Sequence, residues 1–286
     1  MLLITDLPDI MQGQNWPVAA ACMRRWFNGP AWTMPQNVKI GATPMADLPA
    51  YALETGILKM DWALGFDRVK TAHQRLTSGL WNDAKALQQL SARVLNQANS
   101  GAGKGKKDGE SWSFGDLTQP VRYLAGTAQT NFLTVGALND PLDDFYGAVG
   151  KGSLDVVVSG NVVRQKTGRF VITVTSLGVY LRDTYDFNGD QPLGVWTQGG
   201  IDRTTFDQIV NAYVWKYPPI PLVPPPPPRP GVKRPPRAPD DPTAKFSVAN
   251  GEFNKYRSLT GKGGDFVNIS DLKITQLRTP AVIELP

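Results

Sequence analysis

Three aspartates, a tyrosine and an asparagine crowd into the fourteen residues from Asp183 to Trp196, DTYDFNGDQPLGVW. Side chains alternate between faces along an extended strand, so Asp183 and Tyr185 point one way and Arg182, Thr184 and Asp186 the other. The Asn188-Gly189 pair is a turn signal that can bring Asp190 back toward Asp183 or Asp186. Hard oxygen ligands of this kind, Asp183 and Asp186 first among them, suit Mg²⁺ or Ca²⁺. Carboxylates held close together also repel each other, which raises one pKa into the range of a general acid. The same residues have a structural use, because Asp and Asn side chains brace turn amides and a tyrosine can pack. Both readings stand on the sequence. The spacing does not fit the EF-hand loop, which ends in a bidentate glutamate.

A second candidate is TGKGGDF, Thr260 to Phe266, preceded by Tyr256 and Arg257. Consecutive amides of a glycine turn can form an anion nest, with Lys262 and Arg257 supplying charge to a phosphate; an ordinary glycine turn is the alternative. The Gly103-Lys104 pair is not a phosphate loop, since the spaced glycine is missing and Gly105 stands where Ser or Thr must bind Mg²⁺.

Several chemistries are excluded by what the chain contains. Cys22 and His73 are its only cysteine and histidine, so a thiolate cluster or a zinc site of the usual His/Cys type is not expected. Any triad would have to run through His73, which lies in the charged stretch FDRVKTAHQRL and reads as an exposed helix residue. Nothing in the pattern indicates haem or a bound nucleotide. The net charge of +5 is concentrated in two clusters, Lys104, Lys106 and Lys107, and Arg229, Lys233, Arg234 and Arg237. Both sit in Gly- or Pro-rich segments without interleaved aromatics, which reads as solvated linkers rather than a nucleic-acid face. There is no basic n-region and no run of about eighteen apolar residues, so neither a signal peptide nor a membrane span is expected. Synthesis in the cytoplasm is the corresponding expectation.

The elements that must position these residues follow from periodicity. Residues 16 to 99 predict helices: WPVAAACMRRWF, TGILKMDWALGFDRVKTAHQRL, and NDAKALQQLSARVL with an Asn82 cap. Trp16, Trp26, Trp32, Trp62 and Trp81 read as core holding those helices together. SGAGKGKKDGE, residues 100 to 110, reads as a flexible polar linker. From 129 to 187, NFLTVGAL, SLDVVVSGNVVRQ and GRFVITVTSLGVYLRD predict an antiparallel sheet or partial barrel. RTTFDQIVNAYVWKY predicts one amphipathic helix behind a Thr204 or Thr205 cap. Thirteen of the twenty-five residues from Pro218 to Pro242 are proline. Such a tract enforces polyproline II and could span ~75 Å as a strap or a partner's ligand. The last forty residues predict a short Asn250-capped helix, a glycine turn and two or three short strands that rejoin the main sheet, being too few for a core of their own. The expected fold class is α+β: a helical region to residue 110 packed on the sheet of 111–217, a strap at 218–242, and returning strands from 243.

WPVAAACMRRWFNGPAWTMP, DTYDFNGDQPLGVW, the proline tract and NGEFNKYRSLTGKGGDFVNISD together resemble an uncharacterised family of bacterial proteins encoded beside type VI secretion genes. The resemblance covers most of the chain. It implies a cargo or accessory of an antibacterial contractile injection machine, secreted into a recipient cell, with a secretion-system component or a cognate immunity protein as partner. More locally, Asp183-Thr184-Tyr185-Asp186 resembles the Asp-x-Tyr-Asp motif of colicin M-type toxins, which hydrolyse lipid II with Mg²⁺ in the target's periplasm. That resemblance implies Asp183 and Asp186 as metal ligands or base and Tyr185 as the residue that positions substrate. The family follows its motif with His-Arg, where this chain has Gln191-Pro192-Leu193; Arg203 or Arg257 would have to replace the arginine, and nothing replaces the histidine. The expected function is thus a type VI secretion-associated antibacterial effector, with metal-dependent hydrolysis of a cell-envelope substrate as its chemistry. The competing expectation is a non-enzymatic adaptor, chaperone or immunity-type partner, binding through the tryptophan-rich helices or the proline tract.

Overall fold

Long runs of valine, isoleucine and threonine around a single turn make a two-stranded hairpin the largest element of the chain. The computed structural model describes residues 2–137, 140–166, 168–202, 217–222 and 243–285. Within these the helices are α1 (Leu7–Gly13), α2 (Pro17–Asn28), α3 (Gln36–Lys39), α4 (Met60–Ala63), α5 (Asp67–Ser78), α6 (Ala84–Ser100), α7 (Val121–Thr127), α8 (Asp144–Ala148) and α9 (Asn250–Thr260). The strands are β1 (Leu53–Glu54), β2 (Ser111–Phe114), β3 (Gln129–Val135), β4 (Gly152–Arg164), β5 (Phe170–Tyr185), β6 (Pro192–Thr197), β7 (Gly200–Ile201), β8 (Phe246–Ala249), β9 (Phe266–Ile269) and β10 (Lys273–Leu285). The fold class is α+β. The expected helix behind Thr204, Arg203 itself, and the tract from Val223 to Pro242 lie outside the described residues.

Contacts divide the chain into two compact units, each assembled from three stretches remote in sequence. Unit 1 is Met1–Pro35, Ala137–Gly150 and Thr184–Phe266; unit 2 is Gln36–Gly136, Lys151–Asp183 and Val267–Pro286.

In unit 2 the β4–β5 hairpin is the spine of a seven-stranded, curled sheet that forms a half-barrel. Both strands are longer than their neighbours, so each outer edge holds two shorter strands in succession. β4 pairs with β3 along Gly152–Val157 and with β2 along Gly160–Val163. β5 pairs with β10 from Phe170 to Val179, and beyond that the Ser270 N–H donates to the Leu181 carbonyl as β9 comes alongside. The sheet is mixed, since β1 pairs with β9 in parallel. Leu154, Val156, Val157 and Val158 on β4 and Leu177, Val179 and Leu181 on β5 are fully buried, as expected where helices cover a sheet. α5 and α6 pack on β3. α6 is capped by Asp83 rather than by Asn82: Asn82 closes a 3₁₀ turn at Leu80–Asn82, while Asp83 is extended and its Oδ1 accepts from the Ala86 N–H at 2.8 Å. His73 is half-buried instead of exposed; burial and then the Lys273 charge hold its pKa below the usual value. Segment 101–110 is anchored at Gly103, which lies against the Trp112 indole.

Unit 1 is built on aromatic packing. Trp26 of α2 meets Phe27, Phe187 and Phe253 edge to face at 5.0–5.2 Å between ring centroids, and Phe187 stacks on Phe253 at 3.8 Å. Trp16, Trp26 and Trp81 are buried and Trp32 and Trp62 half-buried, each within its own unit. The small sheet β7-β6-β8 completes unit 1. Its strand β8 stays with β6, so of the C-terminal strands only β9 and β10 enter the larger sheet, and β10 is thirteen residues long rather than short. Where the proline tract begins it is tied down: the Ile220 N–H donates to the Ser247 carbonyl at 3.0 Å and the Ile4 N–H to the Pro221 carbonyl at 2.9 Å.

Gly160 stands at a register shift of the hairpin, and a methyl group there would strike the Thr173 carbonyl of β5. Gly160→Ala is therefore expected to cost ~1–3 kcal/mol in urea unfolding, because backbone cannot move aside as a side chain can. Gly126→Ala, inside α7 with nothing within 4 Å of the new methyl, should instead stabilise by ~0.4–1 kcal/mol.

Candidate functional site

The strand end of DTYDFNGD alternates as expected. Asp183, Tyr185 and Phe187 are buried, while Arg182, Thr184, Asp186 and Asn188 are half-exposed. The boundary between the units falls between Asp183 and Thr184, so Asp183 belongs to unit 2 and the rest of the segment to unit 1. Arg182, also in unit 2, reaches the carbonyls of Val38 and Lys39 at 3.3 and 3.4 Å. In unit 1, Tyr185 stacks on Phe266 at 5.2 Å, and its hydroxyl donates to Met23 Sδ at 3.7 Å. Asp186 Oδ1 accepts from the Asn188 N–H at 3.3 Å, which makes a turn of the aspartate's own loop. Gly189, at φ 78°, supplies the left-handed residue that this turn needs.

The loop's remaining polar groups converge on α9. Asn250 Nδ2 donates to the Asn188 carbonyl at 2.8 Å and Asn254 Nδ2 to the Phe187 carbonyl at 2.9 Å, while the Asn250 N–H donates to the Gln191 carbonyl. That role removes Asn250 from the N-cap position, which falls to Ala249; Glu252 Oε2 accepts the Ala249 N–H instead. Asp190 is exposed, with its Oδ1 3.8 Å from where a Cβ on Gly251 would sit. Its charge thus faces the positive end of the α9 dipole. The acidic segment works as a clasp on a helix.

The glycine turn is likewise committed. The N–H groups of Gly261, Gly263, Gly264 and Asp265 donate to the carbonyls of Arg257, Gly29, Trp26 and Trp32, and that of Lys262 to Thr260 Oγ1. An anion nest needs free consecutive amides, and here they are spent on α9, on α2 and on the loop after α2. The Lys262 side chain is exposed. Arg257 is 8% exposed and points inward: Nε donates to the Gly263 carbonyl at 2.7 Å, Nη1 to Thr33 Oγ1, and Nη2 forms an ion pair with Asp265. Its guanidinium lies over the Trp26 ring, 5.3 Å from the centroid. Asp265, at 0% exposure, also accepts from Trp26 Nε1 and the Met34 N–H, both at 2.9 Å. Burial pushes its carboxyl above the ordinary range, against the pull of those donors and Arg257, with Asp186 adding a smaller upward push.

A third acidic centre is one the sequence reading missed. Asp155 sits near the start of β4 at 5% exposure, directly across from Tyr180 of β5. Gln129 Nε2 donates to its Oδ1 at 2.5 Å and Ser153 Oγ to its Oδ2 at 2.7 Å. Burial raises its pKa to about 6; the Ser153 bond and the Arg182 charge pull it back. Tyr180 is pushed well above the usual tyrosine value, by burial first and then by Asp155. The available signal was the lone aspartate inside LDVVV, a charge at a position where a strand is buried on both faces.

Among the described residues, no group of three or more His, Cys, Asp and Glu side chains is placed to hold a metal ion, and no helix is long and apolar enough to cross a membrane. The chain matches a family of unknown function, DUF6402, over residues 2–285, and belongs to it. No curated protein and no solved structure matches.

Two outcomes follow from the buried acids. Arg257→Met strands the Asp265 charge in the core and is expected to cost ~3–5 kcal/mol in urea unfolding, with Asp265→Asn added to it recovering part of the loss. For Asp155, the folded state holds its proton up to about pH 6 whereas the ordinary value is 3.8. Its contribution to stability is therefore full at acid pH and is lost as pH rises from about 4 to about 6, by roughly 3 kcal/mol. Asp155→Asn should abolish that slope and unfold at higher urea than the wild type at pH 7.5.

Proposed function

We propose that this member of DUF6402 is a type VI secretion-associated protein that acts by binding, as an adaptor or carrier of a secretion component, rather than by hydrolysis at the Asp183–Asp190 segment. The observation that carries the proposal is the employment of the segment's side chains. Tyr185 is packed against Phe266 and Met23, and Asp186 closes its own turn. Arg257, the candidate stand-in for a catalytic arginine, is enclosed by Asp265, Thr33 and Gly263. A hydrolytic centre needs its acid, base and positioning groups turned toward substrate. In unit 1 those residue types instead tie the segment from Tyr185 to α9 and to the loop after α2. The secretion association itself rests on the resemblance described above.

Expression directed to the cytoplasm or the periplasm of a susceptible bacterium separates the two classes. Unimpaired growth is expected, together with reduced export of another cargo when the gene is deleted from a secretion-proficient donor. Toxicity that disappears in Asp186→Ala at an unchanged melting temperature would instead establish the metal-dependent hydrolase.

A further inference from the structure

Two basic stretches far apart in sequence meet at one end of the sheet of unit 2. Loop 101–110 carries Lys104, Lys106 and Lys107, and the β4–β5 turn carries Arg164, Lys166 and Arg169. Main-chain bonds hold them side by side. The Gly109 N–H donates to the Arg164 carbonyl at 2.8 Å and the Arg164 N–H to the Glu110 carbonyl at 3.1 Å, after which β2 begins with Ser111 opposite Val163. The turn is closed by the Gln165 N–H donating to the Arg169 carbonyl at 2.9 Å. The loop is anchored from below by Gly103 against Trp112, whose ring meets Phe170 edge to face at 5.8 Å.

Lys104, Lys107, Lys166 and Arg169 are exposed, and Lys106 and Arg164 half-buried. None of the six forms an ion pair among the described residues. The carboxylates at this end are Asp108, Glu110 and Glu284, and Glu110 is turned to the Lys107 N–H at 2.8 Å. Separately, each stretch is a solvated loop. Together they make a surface with twice as many cations as anions.

What this surface lacks defines what it fits. Among the described residues, no exposed large apolar side chain lies in 101–110 or 164–169. Nothing there can enter a bilayer interior, and no aromatic ring is offered to unstacked bases. Charge without an anchor or a stacking platform suits a rigid partner with closely spaced anions on a polar backbone. We propose that this end of unit 2 binds the phosphodiester backbone of duplex nucleic acid without reading its sequence. The inference is independent of the secretion reading.

Fluorescence anisotropy of the full chain with a labelled random duplex of about 20 base pairs tests it. Binding is expected at 50 mM salt, weakening about 10³-fold by 200 mM salt if about six phosphates are neutralised. Lys104→Glu, Lys107→Glu, Lys166→Glu and Arg169→Glu combined should lower affinity at least ~100-fold and flatten the salt slope by about 4, with the melting temperature kept. Lys85→Glu, about 20 Å from the loop at the other end of α6, should bind like the wild type. The four glutamine substitutions at the same positions, expected to weaken binding at least ~10-fold, decide the matter if the reversed charges prevent folding. Three results overturn the proposal: wild-type affinity in the quadruple variants, no duplex binding at 50 mM salt, or tighter binding to phosphatidylglycerol vesicles or polyglutamate than to the duplex.

Discussion

Pairing along the β4–β5 hairpin sets the place of four of the five other strands in the larger sheet, and β1 follows β9. β2 and β3 share the outer edge of β4, and β9 and β10 share that of β5, so four strands take their register from two. A slip of one residue would turn Val156, Leu177, Val179 and Leu181 away from their partners and move Asp155 from its place opposite Tyr180. The register shift at Ser159/Gly160 belongs to the same constraint, since only a glycine allows the Thr173 carbonyl so close. One end of the hairpin holds the acid Asp155 within a polar group, and the other carries the basic turn. Both features are consequences of the pairing.

Asp265 in unit 1 and Asp155 in unit 2 are buried carboxylates compensated in different ways. Asp265 has a full counter-charge in Arg257 together with the donors Trp26 and Met34, so removing Arg257 leaves a charge uncompensated in the core. Asp155 is held by the neutral donors Gln129 and Ser153, with Arg182 acting at longer range. Neutral donors offset less of the desolvation, which is why this carboxyl retains its proton to about pH 6. The first centre holds two helices and the loops that follow them in one arrangement. The second makes the sheet of unit 2 sensitive to acidity.

The segment from Asp183 to Trp196 shows how a chemistry-like composition can serve architecture. Asp, Asn and Gly are the residues a tight turn needs, and they are also the residues of a metal site. Here Asn188, Phe187 and Gln191 offer carbonyls to α9, and the Phe187 ring packs in the core against Trp26. A binding role leaves such a clasp intact.

Local order along the chain was legible in the sequence: the helix at WPVAAACMRRWF, the hairpin around Lys166-Gly168, the turn at Asn188-Gly189 and the alternation through Asp183 and Tyr185. These depend on periodicity and on backbone preference, which are properties of neighbouring residues. Capping was legible only to within a residue, because Asn82 and Asp83 are both competent caps and Asn250 was drawn to a carbonyl sixty-two positions away. Asp155 carried a signal in its apolar surroundings, yet its donors Gln129 and Ser153 could be named only once β3 lay beside β4. The pairing of Arg257 with Asp265, the closure of the 261–265 amides and the meeting of the two basic loops were settled by tertiary structure alone. Each depends on strand register and loop closure between residues distant in sequence, and local residue preferences contain no information about which distant partner will arrive.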